Sequence, residues 1–175
     1  MLLWFHLSAC LLGRDTALEG ASQWMSLVPG KLGNLLRAAF YSAVLEECDR
    51  TVTICFGTLL AKTGTRIGPH VYIGPYCQLG LVTIGRDTLI APTVQIPSGP
   101  RTHRYDSLEI PIRHQGCDGT RITIGDNCWL GAGSIVMADV GSHSVIGAGS
   151  VVTKPIAEKT VAAGVPAQTI RQRVG

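Results

Sequence analysis

The stretch that decides the fold runs from Arg121 to Val152, RITIGDNCWLGAGSIVMADVGSHSVIGAGSVV. From Ile124 it divides into blocks that open with an aliphatic residue, usually followed by a small one, and all but one of the complete blocks are six residues long. A six-residue spacing fits neither the period of about 3.6 of an amphipathic helix nor the period of two of a half-buried strand. It predicts a coil of short strands whose opening aliphatic side chains point inward and whose small residues permit tight corners.

The same spacing occurs upstream, in a second run that contains a single five-residue block. Its blocks open at Ile67, Ile73, Leu79, Ile84, Ile90 and Ile96. Because stacked coils bury a continuous column of aliphatic side chains, the two runs predict one solenoid that needs no two-layer core.

The chain divides into three predicted regions, the first of which is a helical cap over residues 1–50. Apolar residues recur with helical spacing from Asp15 to about Cys48, and Pro29-Gly30 should introduce an amphipathic helix that covers the open end of the solenoid. Its exposed face is expected to carry Lys31, Arg37, Glu46 and Glu47. That mixed charge favours a cap over a membrane-surface helix, although contact with a membrane surface stays open.

The second region is the solenoid, residues 51–155, with an inserted loop at about 97–120 where the six-residue register breaks. A long polar insertion on a rigid scaffold is a usual place for function. The third region, residues 156–175, should contain an extended segment and then a short helix, because Pro155 and Gly164-Val165-Pro166 forbid regular helix early on.

Composition excludes several classes of function. The formal net charge is +3 and no dense run of Lys or Arg occurs, so nucleic acid is not an expected partner. The six cysteines lack C-x-x-C spacing, which predicts reduced thiols rather than a metal site or disulfides, with Cys128 as buried filler. The apolar opening MLLWFHLSACLLG has no basic start and is too short to span a bilayer, so a cytoplasmic protein is expected.

Three motifs carry a resemblance to a known family. IGDNCWLGAGSIV, VIGAGSVVTKPI and AGVPAQTIR resemble the C-terminal signature of the hexapeptide-repeat acyltransferases, and the chain most resembles members that O-acetylate sugars, such as maltose and nodulation-factor acetyltransferases. The resemblance implies an all-β left-handed parallel β-helix and a homotrimer with active sites between subunits. It also implies acetyl-CoA as donor, no metal, and a sugar or surface-polysaccharide hydroxyl as acceptor.

The inserted loop contains the expected catalytic residue. THRYDS, LEIPI and RHQG resemble the family segment in which a histidine precedes a Pro-Ile and a Gln-Gly, and this makes His103 the expected general base. Imidazole suits that role because its ordinary pKa is about 6.5. Asp106 either orients the ring or is a turn residue, and His114 is the rival base in the same loop.

The donor site is expected at the coil corners and in the C-terminal region. Ala132 and Ala148 leave room for the pantetheine arm, and the same small residues also suit plain coil corners. The resemblance assigns CoA phosphates to Lys154, in its Thr153-Lys154 motif, and to Arg171. Arg173 is a further candidate cation. Gln168 stands where the family usually has Lys or Arg, which weakens one contact.

Other prominent side chains have structural interpretations. Trp129 is too large for a tight coil interior and should form a groove wall or a subunit contact. His70 and His143 should face the surface as structural residues.

Three alternatives to a sugar O-acetyltransferase remain. The acceptor could be serine or an antibiotic-like small molecule. A γ-type carbonic anhydrase shares this solenoid but needs three zinc-binding histidines, and its paired histidines a few residues apart are missing. A non-catalytic assembly subunit would use the solenoid only as a scaffold.

Overall fold

The computed structural model describes residues 1–174, in which three α-helices precede a parallel β-solenoid; Gly175, the end of the predicted C-terminal region, lies outside them. The helices are α1 (Leu2–Leu12), α2 (Arg14–Ser26) and α3 (Gly30–Val44). In chain order the strands are β1 (Glu47–Cys48), β2 (Thr53–Ile54), β3 (Leu59–Leu60), β4 (Arg66–Ile67), β5 (Tyr72–Ile73), β6 (Gln78–Leu79), β7 (Val82–Ile84), β8 (Leu89–Ile90), β9 (Gln95–Ile96), β10 (Ile122–Ile124), β11 (Trp129–Leu130), β12 (Ile135–Val136), β13 (Val145–Ile146), β14 (Val151–Val152), β15 (Thr160–Gly164) and β16 (Ala167–Gln172).

The strands form three sheets, and the chain visits the sheets in turn as it winds. The first sheet has the order β1-β4-β7-β10, the second β16-β15-β13-β11-β8-β5-β2, and the third β14-β12-β9-β6-β3. Equivalent strands of successive coils pair in parallel, as in the register of Ile73 with Ile90 and of Leu130 with Ile146. The predicted all-β parallel solenoid is confirmed, and its left-handed winding stays an expectation from the resemblance.

The aliphatic residues that open the repeat blocks form the core, as predicted. From Ile67 to Ile96 and from Ile124 to Val152, none of the residues that open a block is more than 2% exposed. The glycine that follows such a residue is required where coils approach closely. A Cβ atom at Gly74 would lie 2.7 Å from the amide nitrogen of Pro92 in the next coil. The aliphatic column and the small corners are therefore two parts of one packing arrangement.

The helical cap differs from the prediction at Arg37. The prediction of a helix introduced by Pro29-Gly30 agrees with α3, but Arg37 is 0% exposed rather than on the outer face. Its guanidinium donates hydrogen bonds to the carbonyl oxygens of Ile54 (2.8 Å), Met25 (2.9 Å) and Val28 (2.8 Å). The physical reason is that α2 and the first coil cover this side of α3. None of the helices in residues 1–174 is long and apolar enough to cross a membrane.

Polar contacts attach α2 to the first coil. The carboxylate of Asp15 accepts hydrogen bonds from the amide (2.9 Å) and hydroxyl (2.8 Å) of Thr63 and lies 3.2 Å from the ammonium of Lys62. Burial alone would raise the pKa of Asp15, but these contacts outweigh it and hold the pKa below its usual range. The hydroxyl of Ser22 accepts the amide hydrogen of Leu60 (2.8 Å). The cap is thus fixed to the solenoid by directional bonds as well as by apolar packing.

The C-terminal region is a β-hairpin, so the predicted short helix is wrong. The expected extended segment corresponds to β15, and β16 then pairs with it antiparallel, with Ala163 opposite Gln168 and Val161 opposite Arg171. The turn lies at Val165-Pro166. Pairing of β16 with the last parallel strand provides hydrogen-bond partners that a short isolated helix would lack at its ends.

Candidate functional site

The inserted loop leaves the solenoid after β9 and returns at β10, at the corner between the third and first sheets. Its base is closed by a hydrogen bond from the Thr120 amide to the Ser98 carbonyl (2.8 Å). Further out, the guanidinium of Arg104 donates two hydrogen bonds to the carboxylate of Asp118, at 2.7 and 2.6 Å. A two-pronged arginine–carboxylate pair fixes direction as well as distance, so it holds the two arms of the loop together.

His103 lies on the first arm of this loop, and its imidazole is exposed. Its Nδ1 atom is 3.4 Å from the sulfur of Cys117 on the second arm. In the part of the chain that the structure describes, no hydrogen bond joins His103 to Asp106. The rival His114 ends a short 3₁₀ turn, Ile112–His114, where its Nε2 atom accepts a hydrogen bond from Arg113 (3.0 Å).

A cavity of about 300 Å³ lies between α2 and the outer face of the third sheet. Glu19 and Gln23 of α2 face Gln78 and Gln95 of the solenoid across it, and Pro97, the first residue of the loop, completes one wall. This cavity was not predicted from the sequence. One signal was present, because Gln78 and Gln95 each precede the aliphatic residue that opens a block, a position that points outward; the approach of α2 had no such signal.

The corner between the second and third sheets carries the two alanines predicted for the donor. Ala132 and Ala148 are exposed and stack in successive coils, where the Gly149 amide donates to the Ala132 carbonyl (2.9 Å). A methyl group at Gly149 would meet nothing within 4 Å, so this corner faces open space. The corner therefore has room for a chain such as pantetheine.

The predicted polar donor residues lie on two sides of that corner. Thr153 and Lys154 are exposed directly after β14, across the third sheet from Ala148, and no ion pair to Lys154 occurs within residues 1–174. Gln168 sits opposite Ala163, near the same corner as Ala148, because a Cβ at Gly147 would lie 2.7 Å from the Cβ of Ala163.

Arg171 and Arg173 lie toward the other end of the hairpin. Arg171 follows Gln168 by three residues, roughly 10 Å along a strand. Arg173 is already engaged, since its Nη1 atom donates to the carbonyl oxygens of Asn127 (3.3 Å) and His143 (3.1 Å). Gln168 thus lies near the corner alanines, whereas Lys154 and Arg171 lie on opposite sides of that corner, and their roles stay predictions.

The remaining side chains singled out in the sequence take structural positions. His70 and His143 lie exposed at corners between the first and second sheets, with φ of 58° and 63°. The Cys128 thiol is buried and donates to the Gly141 carbonyl (3.2 Å), and burial raises its pKa. Trp129 is 52% exposed on the outer face of β11, next to Leu89 of β8. Within residues 1–174, no group of three or more His, Cys, Asp or Glu side chains could hold a metal ion.

Comparison with known sequences identifies the repeat. Residues 121–154 match the model of the hexapeptide repeat of succinyl-transferase. The chain is 33% identical over 132 residues to nodulation protein L of Rhizobium leguminosarum bv. viciae, covering 72% of this chain and 60% of that protein. It is 43% identical over 118 residues to galactoside O-acetyltransferase of Escherichia coli, covering 60% and 55%. The chain spans about half to three fifths of the length of the first curated relatives it matches.

Comparison with solved structures extends the likeness to nearly the whole fold. A hexapeptide-repeat acetyltransferase from Vibrio cholerae O1 biovar eltor, solved in complex with acetyl coenzyme A, superposes with a TM-score of 0.69. The match covers 95% of this chain and 92% of that chain at 22% sequence identity. At that identity the likeness establishes the solenoid with its helical cap.

Proposed function

Because this chain belongs to the hexapeptide-repeat acetyltransferase family, we propose that it transfers an acetyl group from acetyl-CoA to a hydroxyl of a sugar or sugar-containing acceptor, with His103 as general base. The observation that carries the proposal is the position of the loop. It leaves the solenoid at Pro97, a residue that also lines the cavity beside α2. The loop that carries the proposed base therefore begins at the wall of the pocket proposed for the acceptor.

The walls of the cavity support a sugar as the acceptor. The side chains of Glu19, Gln23, Gln78 and Gln95 offer acceptors and amide donors for several hydroxyl groups, while Leu59 and Pro97 add apolar surface against which a sugar ring can pack. Relatives named for galactoside and lipopolysaccharide O-acetylation point to the same class of acceptor. The cavity is of the size usual for a small ligand, about 300 Å³.

The chemistry assigned to His103 is a single proton transfer coupled to acyl transfer. The neutral imidazole takes the proton of the acceptor hydroxyl as the oxygen attacks the thioester carbonyl carbon, and a carbon–oxygen bond forms. The carbon–sulfur bond then breaks, and the imidazolium returns its proton to the departing CoA thiolate. The products are the O-acetyl ester and free CoA, and His103 is neutral again.

The donor is proposed to lie along the corner of Ala132 and Ala148, with Lys154 and Arg171 holding CoA phosphates. Support comes from the open space at this corner, the exposure of Lys154 and the acetyl coenzyme A bound by the Vibrio cholerae neighbour. Thr153, next to Lys154, and Gln168, opposite Ala163 on the hairpin, add neutral hydrogen-bonding groups on the two sides of this corner.

The proposed function is tested by the release of free CoA from acetyl-CoA in the presence of galactosides, glucosides, serine and an aminoglycoside. We expect the release of CoA to depend on a sugar. Each of Lys154→Ala and Arg171→Ala should raise the KM for acetyl-CoA roughly two- to tenfold, because an exposed charge-assisted contact is lost. The KM for dephospho-CoA donors, which keep the diphosphate but lack the 3′-phosphate, should change less for a residue that contacts the 3′-phosphate and equally for one that contacts the diphosphate.

Lys159→Ala is the matched control for this assay, since Lys159 is an exposed lysine of the same coil whose one ion pair within residues 1–174 is with Glu158, at 4.0 Å. Its KM should equal that of the wild type. An unchanged KM for acetyl-CoA in both variants would count against the phosphate contacts. CoA release with serine but with no sugar would replace the proposed acceptor class.

We also propose a homotrimer, with sites completed between subunits. Support comes from the second sheet, whose outer face exposes Tyr72, Leu89 and Trp129 in register on neighbouring strands, an apolar column that suits a subunit contact. Light scattering should therefore give a mass about three times that of the 18.6 kDa chain. A stable monomer that binds acetyl-CoA would contradict this assembly.

A further inference from the structure

The loop pairs the proposed base with a thiol. Nδ1 of His103 and the sulfur of Cys117 are 3.4 Å apart, although fourteen positions separate the two residues in the chain. The adjacent residues explain why they meet. Arg104 and Asp118 form the two-pronged pair, and the Arg104 amide donates to the Gly116 carbonyl (3.1 Å), so the side chains next to this clamp are held face to face.

We propose that Cys117 is a positioning residue for His103, an inference that rests on the proposed function. The sulfur accepts the hydrogen on Nδ1, which leaves the lone pair on Nε2. That nitrogen is then the atom that takes the proton of the acceptor hydroxyl. In the opposite sense, with the thiol donating to Nδ1, the ring would carry its hydrogen on Nε2 and could not act as a base from that atom.

Other groups near the ring do not supply this function. The charges of Arg104 and Asp118 are committed to each other through two hydrogen bonds. Asp106 makes no hydrogen bond to the ring within the described residues, and the amide side chain of Gln115 is engaged by Ser107 and Ile110. The sulfur of Cys117 is thus the one side-chain partner in residues 1–174 that contacts Nδ1.

The test compares Cys117→Ala and Cys117→Ser with the wild type. Alanine removes the acceptor and should lower kcat about 10- to 100-fold, by analogy with the loss when the hydrogen-bond partner of a metal-ligating histidine is removed, with an unchanged KM for acetyl-CoA. Serine replaces sulfur with a stronger acceptor and should keep kcat within about threefold of the wild type. Cys10→Ala, at an exposed cysteine on α1, is the control and should have no effect.

A spectroscopic measurement separates this inference from the proposed function. The ¹⁵N shifts of the His103 ring report which nitrogen carries hydrogen, and they do not require activity. In the wild type and in Cys117→Ser, Nδ1 should be protonated at a pH where the ring is neutral, and Cys117→Ala should shift the balance toward hydrogen on Nε2.

Identical ring shifts in the wild type and Cys117→Ala would overturn the inference, even if acetyl transfer is observed. A ring that responds to Cys117→Ala in a protein without transferase activity would support the contact and contradict the proposed function instead. A serine variant as inactive as the alanine variant, at unchanged melting temperature, would also count against positioning by an acceptor atom.

Discussion

Replacement of His103 by alanine is expected to lower turnover by roughly 10²–10⁴-fold, the usual contribution of a positioned general base. The hydroxyl of a sugar is a weak nucleophile, and the described loop offers one imidazole at the family's motif position to take its proton. The KM for acetyl-CoA should change little, because the donor surface is formed by Ala132, Ala148 and Lys154 rather than by this loop. Steady-state kinetics with saturating acceptor measures both constants.

His114→Ala is the matched control for this experiment. His114 lies in the same loop and is also exposed, but its Nε2 atom contacts Arg113 and its position differs from the family motif. Near-normal turnover is expected. An active His103→Ala protein, or inactivation by His114→Ala alone, would reverse the assignment of the base. Melting temperature and molecular mass need to match the wild type for the comparison to count.

The sequence predicted the solenoid well because the signal for it is local. Each six-residue block contributes one buried aliphatic residue and one tight corner, and neighbouring coils repeat the same contacts. The buried positions of Ile67 and Ile146 can therefore be predicted without knowledge of distant residues. The outward position of Trp129 was predicted from the size of its indole, and the buried position of Cys128 from its place where the coil takes a small or apolar residue.

The features that the sequence did not predict depend on contacts between distant residues. The cavity beside α2 needs Glu19 and Gln78 to meet, and the partner of His103 is fourteen positions away, on the other arm of the loop. The end of the chain turned out to be a hairpin because β15 offers an edge for pairing, which the local pattern of residues 156–175 does not reveal.

Arg37 is the clearest case in which a helical pattern misled the prediction. Its position relative to Lys31 and Glu46 suggested a charged outer face, and charged residues are rarely fully buried. In the structure its guanidinium links three elements instead, with hydrogen bonds to α2 at Met25, to the turn at Val28 and to β2 at Ile54. The fixed fork of an arginine matches several carbonyl oxygens at once, which a lysine cannot do.

Arg37→Met is therefore expected to lower the free energy of unfolding by about 3–5 kcal/mol, because methionine fills part of the space but leaves buried carbonyl oxygens without donors. Arg37→Lys should lower the free energy of unfolding by less, since one ammonium can still reach some of the same carbonyl oxygens. Arg50→Met makes the same chemical change at an exposed position and should alter the free energy by less than about 0.5 kcal/mol.

Urea unfolding at one fixed protein concentration compares the three variants, since subunit association would otherwise contribute to the apparent stability. If Arg37→Met proved as stable as Arg50→Met, the guanidinium would not be what joins the cap to the first coil, and apolar packing by Phe40, Tyr41 and Val44 would have to account for that attachment instead.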